Sequence, residues 1–151
     1  MTLPDFTIRS LLPPPWTSLQ PLIEESRGEG FRFLERLQAE FQDGSNRFDA
    51  PGETLLGAWD DDRLIAAGGL NRDPYAPEPR VGRLRHLYVS PAFRRSGVGR
   101  ALVEALVHAA EPHFDLLRLR TDTPAAARLY ERLGFTPAVS PYATHQRPPA
   151  R

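Results

Sequence analysis

The sequence predicts a single α/β domain, a mixed sheet of about six or seven strands with about four helices on its two faces. Three segments carry this prediction: a strand pair (TLLGAW and RLIAAGGL), a strand–turn–helix (RLRHLYVS to ALVEALVHAA) and a helix–strand (TPAAARLYERLG to FTPAV). This order of elements is typical of mixed sheets covered by helices on both faces. The length of 151 residues fits one domain, here taken as residues 1–151, since domains commonly hold about 100–200 residues.

The first half of the chain has the patterns of one strand, two helices and a hairpin. A strand is predicted from Phe6 to Leu12, where three consecutive prolines stop it. Leu19, Leu22 and Ile23 recur at the spacing of one helical face, and a second helix fits Phe31 to Gln42. The hairpin TLLGAW–RLIAAGGL turns at three aspartates, and the proline-rich segment NRDPYAPEPR is predicted to be a loop.

The patterns become stronger from Val81 onward. RLRHLYVS is rich in strand formers, and LLRLRT predicts an inner strand with Leu117 and Leu119 on one face. Helical stripes are formed by Val98, Ala101, Leu102, Ala105, Leu106 and Ala109, and then by Ala126, Leu129, Tyr130 and Leu133. FTPAV and YATHQ predict the last strands, and a proline-rich tail begins at about residue 147.

Composition excludes several classes of protein. Lys+Arg and Asp+Glu both number 19, so no net field favours a nucleic-acid or membrane partner, and we expect neither. The absence of cysteine excludes disulfides, thiolate metal sites and a cysteine nucleophile. No apolar stretch approaches the length of about 18 residues that spans a membrane, and the N-terminus lacks the features of a signal peptide. We therefore expect a cytoplasmic protein.

The stretch FRRSGVGR, Phe93 to Arg100, joins a strand to a helix and is the candidate ligand loop. Glycine at a helix start lets backbone N–H groups approach an anion closely, although an ordinary exposed turn would use the same residues. The P-loop pattern is absent, and the chain has no lysine to complete it. The dinucleotide pattern fails because Leu102 stands at the place of its third glycine. ATP and NAD are therefore not expected.

The same loop resembles a third pattern. RRSGVG is similar to the R/Q-x-x-G-x-G/A signature of the GCN5-related N-acetyltransferase (GNAT) family, and RHLYVSPAFRRSGVGRALVEAL resembles that family's central strand, pyrophosphate loop and helix. AARLYERLGF resembles the family's second signature, A-x-x-L-Y-x-x-x-G-F. Together these segments extend from Val81 to about Phe135.

The resemblance implies acetyl-coenzyme A as co-substrate, bound where the central strands separate. Its pantetheine arm would pair with the backbone of Leu87, Tyr88 and Val89, where one N–H would polarise the thioester carbonyl. Tyr130 would protonate the departing thiolate. The pyrophosphate would lie on backbone amides from Arg95 to Arg100, with charge from nearby arginines; the residues expected here are Arg94, Arg95, Ser96, Gly97, Val98, Gly99 and Arg100.

Two positions depart from the family pattern. Thr123 stands where the second motif often begins with a cofactor-binding asparagine, and we expect it to bind the cofactor or to cap the helix that Pro124 begins. Arg83 stands where many members carry a glutamate that helps to deprotonate the amine.

The missing glutamate leaves the catalytic base open. His86 is the candidate base, since an ordinary histidine pKa near about 6.5 suits that role, although a packed histidine would look the same. Asp73, Glu78 and Asp122 are other carboxylates that could act through water. No group of acidic residues and histidines has metal-ligand spacing, so no metal is expected.

The expected function is transfer of an acetyl group from acetyl-coenzyme A to a primary amine. Without cysteine, a cysteinyl acyl-enzyme is impossible, and direct attack in a ternary complex is the simplest mechanism. The first two helices and the NRDPYAPEPR loop should form the acceptor site for a small molecule or a peptide, and a homodimer is left open. The alternative is a sensor domain that binds acyl-coenzyme A without turnover.

Overall fold

The computed structural model describes residues 5–149 and contains one seven-stranded sheet with four α-helices. Residues 1–4 and 150–151, the ends of the predicted domain and tail, lie outside the described residues. The strands are β1 (Thr7–Ser10), β2 (Thr54–Asp60), β3 (Arg63–Arg72), β4 (Val81–Val89), β5 (Leu116–Leu119), β6 (Thr136–Pro137) and β7 (His145–Arg147). The helices are α1 (Trp16–Gly28), α2 (Phe33–Asp43), α3 (Val98–Ala110) and α4 (Pro124–Arg132). The predicted fold class is confirmed.

The strand order is β1-β2-β3-β4-β5-β7-β6. β4 and β5 run parallel at the centre of the sheet, and the other described neighbours are antiparallel. A parallel pair needs a crossover connection. Here the loop after β4 and the helix α3 provide that crossover.

Two hydrophobic cores lie on opposite faces of the sheet. The α1–α2 core contains fully buried Leu19 and Ile23 of α1 and Leu34 of α2, packed on Leu55 and Ala67 of the sheet. The α3–α4 core contains six buried residues of α3, which are Val98, Leu102, Val103, Leu106, Val107 and Ala110. Helices on both faces thus exclude water from the central strands, which allows β3 to be buried along nearly its whole length.

Some boundaries differ from those predicted. α2 begins at Phe33 rather than Phe31 because the amide of Phe31 instead completes the end of α1 by bonding the Ser26 carbonyl at 2.9 Å. On α3 the buried stripe is rotated, since Val103, Val107 and Ala110 are buried whereas Ala101, Ala105 and Ala109 are only half-buried. The last strand is His145–Arg147, about two residues beyond the predicted YATHQ.

Candidate active site

The two central strands separate and leave one edge of β4 unpaired. β4 pairs with β5 only over Val81–Arg83, opposite Leu116–Arg118, although β4 itself continues to Val89. β5 ends at Leu119 and pairs with β7 along its other edge. The β5-facing edge of residues 84–89 therefore borders an open wedge, and an unpaired strand edge readily binds a further extended chain.

A bulge in β4 lies beside this wedge. His86 has φ +60, and the pairing of β4 with β3 shifts register between Ala67 and Gly69. Leu87 and Val89 pack towards the α3–α4 core, whereas Tyr88 packs in the α1–α2 core. An extra residue re-aims the side chains around it and breaks the regular ladder, so the segment 87–89 keeps strand form while the strand bends at its middle.

The turn between β4 and α3 presents backbone amides to solvent. It contains one 3-10 turn, Pro91–Phe93, followed by Arg95 with φ +63 and Gly97 with φ +90. The first α-helical hydrogen bond runs from the Ala101 amide to the Gly97 carbonyl at 3.0 Å. The amides of residues 98–100 precede that bond and have no acceptor within the helix. They carry the positive end of the helix dipole, which suits a phosphate.

The two glycines of the turn differ in environment. Gly97 requires its left-handed conformation, but a Cβ there would meet nothing within 4 Å. A Cβ on Gly99 would lie 3.4 Å from Val89 Cγ2 and 3.6 Å from Leu129 Cδ2. Gly99 therefore marks the point where β4, α3 and α4 meet, at the border of the wedge.

The side chains of the turn are largely engaged with the protein. Arg94 donates to both carboxylate oxygens of Glu29, at 2.7 and 3.0 Å, and to the Val89 carbonyl at 3.0 Å. Arg100 donates to Glu104 at 2.9 Å, and the Ser96 hydroxyl donates to the Phe93 carbonyl. Arg95 is exposed and has no ion pair among residues 5–149. Of the three predicted arginines, Arg95 is thus the most available to a ligand.

A hydrogen-bonded network that sequence reasoning missed fixes the end of β4 to α1. The Tyr88 hydroxyl lies 3.1 Å from Glu25 Oε1 and 2.5 Å from Glu29 Oε1, and the Ser90 hydroxyl donates to Glu25 at 3.2 Å. Hydrogen bonds from Arg94 and then Tyr88 hold the pKa of Glu29 below its ordinary value. Burial and these acceptors raise the pKa of Tyr88, so its hydroxyl remains protonated. The network therefore links the end of β4 and the following turn to α1.

Tyr130 projects from α4 into the α3–α4 core. Its side chain is 7% exposed and meets Phe135 edge-on at 5.6 Å. Within residues 5–149 its hydroxyl makes no hydrogen bond, and burial raises its pKa above the ordinary value. The group is therefore a protonated and unpaired donor. Thr123 caps α4, since its hydroxyl oxygen accepts the Ala126 amide at 3.2 Å and Pro124 occupies the first helical position.

His86 contacts the α2 side of the sheet. Its Nδ1 lies 3.0 Å from the Phe33 carbonyl, which in the neutral ring makes Nδ1 the protonated nitrogen. Its Nε2 is enclosed and has no hydrogen-bond partner among the described residues. Burial, and then the charge of Arg85, lowers the pKa of His86 to about 3. The role of catalytic base stays a prediction, and this environment makes the imidazole a weak base at neutral pH.

Arg83 lies where the strands begin to separate. It is 7% exposed, donates to the Tyr142 carbonyl at 2.7 Å and lies 3.7 Å from Asp73 Oδ1. The ring of Tyr75 lies 4.9 Å from its guanidinium and stacks on Tyr142 with centroids 4.7 Å apart. Burial lowers the pKa of Arg83, and the Asp73 charge opposes that shift. Of the three carboxylates considered from sequence, Asp73 is thus the one that the fold brings to Arg83.

Residues 5–149 contain neither a group of metal-binding side chains nor a membrane-spanning helix. No group of three or more histidine and acidic side chains within residues 5–149 could hold a metal ion. No helix in the same range is long and apolar enough to cross a membrane.

This architecture defines the class of protein. A mixed sheet whose parallel central strands separate beside a glycine-initiated helix is the arrangement of the N-acetyltransferase fold that the two sequence signatures imply. The chain belongs to the acetyltransferase (GNAT) family, whose family model matches residues 12–135. The resemblance stated from sequence is confirmed.

Comparisons with individual proteins agree with this assignment. A crystal structure of a proposed acetyltransferase from Exiguobacterium sp. 255-15 is 30% identical and covers 95% of this chain and 93% of its own, with a TM-score of 0.82. An uncharacterized protein of Mycobacterium leprae is 31% identical over 109 residues, and the N-alpha-acetyltransferase RimI of Mycobacterium tuberculosis is 31% identical over 86 residues. These matches cover 66% and 57% of this chain, and they span only 30% and 54% of the two mycobacterial proteins.

Proposed function

We propose that this protein transfers an acetyl group from acetyl-coenzyme A to a primary amine by direct attack within a ternary complex. The observation that carries the proposal is the unpaired edge of β4 over residues 84–89, which continues into a turn of free amides at residues 98–100. The unpaired strand edge and the anion-binding amides at the start of α3 follow one another along the chain. An amide-bearing arm followed by a pyrophosphate requires that combination.

In this proposal the backbone binds the co-substrate. The pantetheine amides pair with Leu87–Val89 as an added strand. The pyrophosphate lies on the amides of Arg95–Arg100, and Arg95 supplies further charge. Arg94 acts indirectly, because its bonds to Glu29 and the Val89 carbonyl hold the turn against the strand. Thr123 retains one hydroxyl proton that can donate to the co-substrate.

The chemistry requires one bond to form and one to break. The neutral amine attacks the thioester carbon, an N–H of the 87–89 segment stabilises the oxyanion, and the C–S bond then breaks. Tyr130 donates its hydroxyl hydrogen to the departing sulfur, as a hydrogen bond or as a proton that solvent then replaces, while the ammonium proton leaves to solvent. Burial raises the pKa of Tyr130, so its hydroxyl is protonated at neutral pH. A free thiol has a pKa of about 8.5, below that of a phenol at about 10, so the hydroxyl assists mainly as a strong hydrogen-bond donor to the forming thiolate. Such acid assistance is typically worth about 10²–10⁴-fold in rate.

No side chain is assigned the role of the base that deprotonates the amine. The low pKa of His86 removes most of its proton affinity at neutral pH, and Arg83 is a cation. Water that reaches the amine through the open wedge is the simplest acceptor of its proton.

A second candidate is a domain that binds acyl-coenzyme A without turnover. The observation that favours it is Arg83, which stands where the family commonly has a glutamate. Coenzyme A release from acetyl-coenzyme A, measured by thiol titration across a panel of amines, separates the two functions. The enzyme gives amine-dependent release, which Tyr130→Phe slows. Tight acetyl-coenzyme A binding with no release for any amine identifies the sensor, and absent binding removes both.

A further inference from the structure

A group of arginines gathers at the fork where β4 and β5 begin to separate. Arg83 and Arg118 are direct partners across the parallel strand pair, so their side chains leave the sheet on the same face. Leu117 and Leu119 point into the α3–α4 core. By alternation, Arg118 and Arg120 therefore point to the opposite face, which Arg83 also occupies.

Arg118 is the cation of this group that has no counter-ion among residues 5–149, since Arg83 is paired with the buried Asp73 and Arg120 with Asp122. Arg83 Nη1 and Arg118 Nε are both enclosed and have no hydrogen-bond partner within residues 5–149. The nearest carboxylates are Asp73, 3.7 Å from Arg83, and Asp122, 3.7 Å from the exposed Arg120. Among the described residues no ion pair or hydrogen bond involves the side chain of Arg118. A buried cation without a hydrogen-bonded anion is unfavourable, so this arrangement is suited to binding one.

A structural role explains only part of this group. Arg83 fixes the segment before β7 through the Tyr142 carbonyl, and Arg120 donates to the Pro141 carbonyl at 3.3 Å. Arg118 holds no segment of the described chain. The Arg83 guanidinium lies 4.9 Å from the ring of Tyr75, and the stacked rings of Tyr75 and Tyr142 are each 51% exposed. The Arg83 end of the fork therefore borders a half-open aromatic wall.

We infer that the acceptor carries an anionic group, a carboxylate or a phosphate, in addition to its amine, and that Arg83 and Arg118 bind that group. This inference rests on the proposed acetyl transfer. The planar guanidinium group of an arginine can bind either a carboxylate or a phosphate through two parallel N–H···O hydrogen bonds. Arg83 and Leu87 are four positions apart, but the bulge at His86 takes up one of them, so about three strand steps separate the two residues, which is about 10 Å at about 3.3 Å per residue. The anionic group therefore lies several bonds from the amine, as in an ω-amino acid or an acidic peptide.

The test compares acceptors that differ only in this charge. One arm uses ω-amino acids with two to six methylenes against the corresponding carboxamides. The other arm uses short peptides with aspartate or asparagine close to a free N-terminus, which distinguishes a peptide source from a small molecule. The protein variants are Arg118→Gln, which removes no described contact, and Arg132→Gln, an exposed arginine of α4, as the matched control.

For the acceptor pair with the highest activity, we expect kcat/KM of the carboxylate member to exceed that of its uncharged amide by a factor of roughly ten or more. One charge-assisted hydrogen bond is enough to give that ratio. The ratio should fall towards one in Arg118→Gln and persist in Arg132→Gln, with melting temperatures unchanged. A wild-type ratio near one, or a ratio that survives in Arg118→Gln, overturns the inference while leaving acetyl transfer intact.

A binding measurement covers the case in which no tested amine reacts. Calorimetry of 6-aminohexanoate with protein saturated with coenzyme A supports the inference if binding is roughly tenfold weaker in Arg118→Gln. Absent binding, or equal binding by the two proteins, overturns it. Failure of the proposed function appears separately, as an absence of acetyl-coenzyme A binding or as binding without amine-dependent release of coenzyme A.

Discussion

Replacement of Gly99 by valine should block the co-substrate and leave the fold intact. A Cβ at this position meets Val89 and Leu129 only at ordinary contact distances of 3.4 and 3.6 Å, so Gly99→Ala should fold and bind normally. Valine adds two further methyl groups at the border of the wedge. Helix propensity improves on replacing glycine, while overpacking costs about 1–3 kcal/mol. We expect the free energy of unfolding to change by less than about 2 kcal/mol.

The effect on ligand binding can be measured by thermal unfolding. Acetyl-coenzyme A at 100 times its Kd stabilises the fold by about 2.7 kcal/mol. At about 2–4 °C per kcal/mol for a chain of this size, the melting temperature should rise by about 5–11 °C. A tenfold weaker Kd in Gly99→Val leaves about 1.4 kcal/mol at the same ligand concentration, which is half the shift. NAD and ATP should give much smaller shifts.

Gly97→Ala is the contrasting control. Its φ of +90 strains any side chain, although the space around it is open. It should therefore lose about 1–2 kcal/mol of stability without a steric block. The reasoning is refuted if Gly99→Val shows the full shift of the wild type, or if acetyl-coenzyme A, NAD and ATP shift the melting temperature equally.

Three further predictions concern single side chains. Tyr130→Phe should lower kcat by at least about 10²-fold with little change in acetyl-coenzyme A affinity, and full turnover would show that the ring only packs. Arg94→Gln should cost at most about 1 kcal/mol at pH 7, because the Arg94–Glu29 pair is partly exposed. Since the pKa of Glu29 is lowered, this difference should begin to shrink as the pH falls below the ordinary glutamate pKa of about 4.3 and should vanish once Glu29 is protonated in the fold. Urea unfolding that gives a constant difference across this pH range would contradict the pairing. The pKa of His86 is about 3 in the folded protein, below its unfolded value of about 6.5. As the pH decreases below about 6.5, the unfolded chain therefore binds a proton at this histidine before the folded chain does, and the stability of the fold decreases. His86→Gln should reduce that slope, and an unchanged slope would mean that His86 is accessible to protons in the fold.

The elements predicted correctly have strong periodic patterns. The hairpin, the helix after the RRSGVG turn and the helix that carries Tyr130 each have an apolar repeat with a clear stop signal. The position of the wedge also follows from sequence, because the two family signatures flank it. Propensity does not predict the rotation of the α3 stripe, since the helix orientation depends on the sheet it packs against.

The parts that were not predicted depend on contacts between distant residues. Glu29 and Arg94 are 65 positions apart, so nothing local indicates that this arginine is already paired. The bulge at His86 places an apparently ordinary strand residue in a left-handed conformation and buries it against α2. Arg83 and Arg118 become neighbours only through the parallel pairing of β4 and β5.

The central claim is that acetyl-coenzyme A binds along β4 and the turn that follows it. A titration of ¹⁵N-labelled protein with acetyl-coenzyme A, followed by amide chemical shifts, tests this claim most directly. The account predicts that the largest changes occur at Leu87–Val89 and at Arg95–Arg100, with smaller changes in α4 near Tyr130. Changes confined to the opposite sheet edge near β1 and β2, or no changes at saturating ligand, would contradict it.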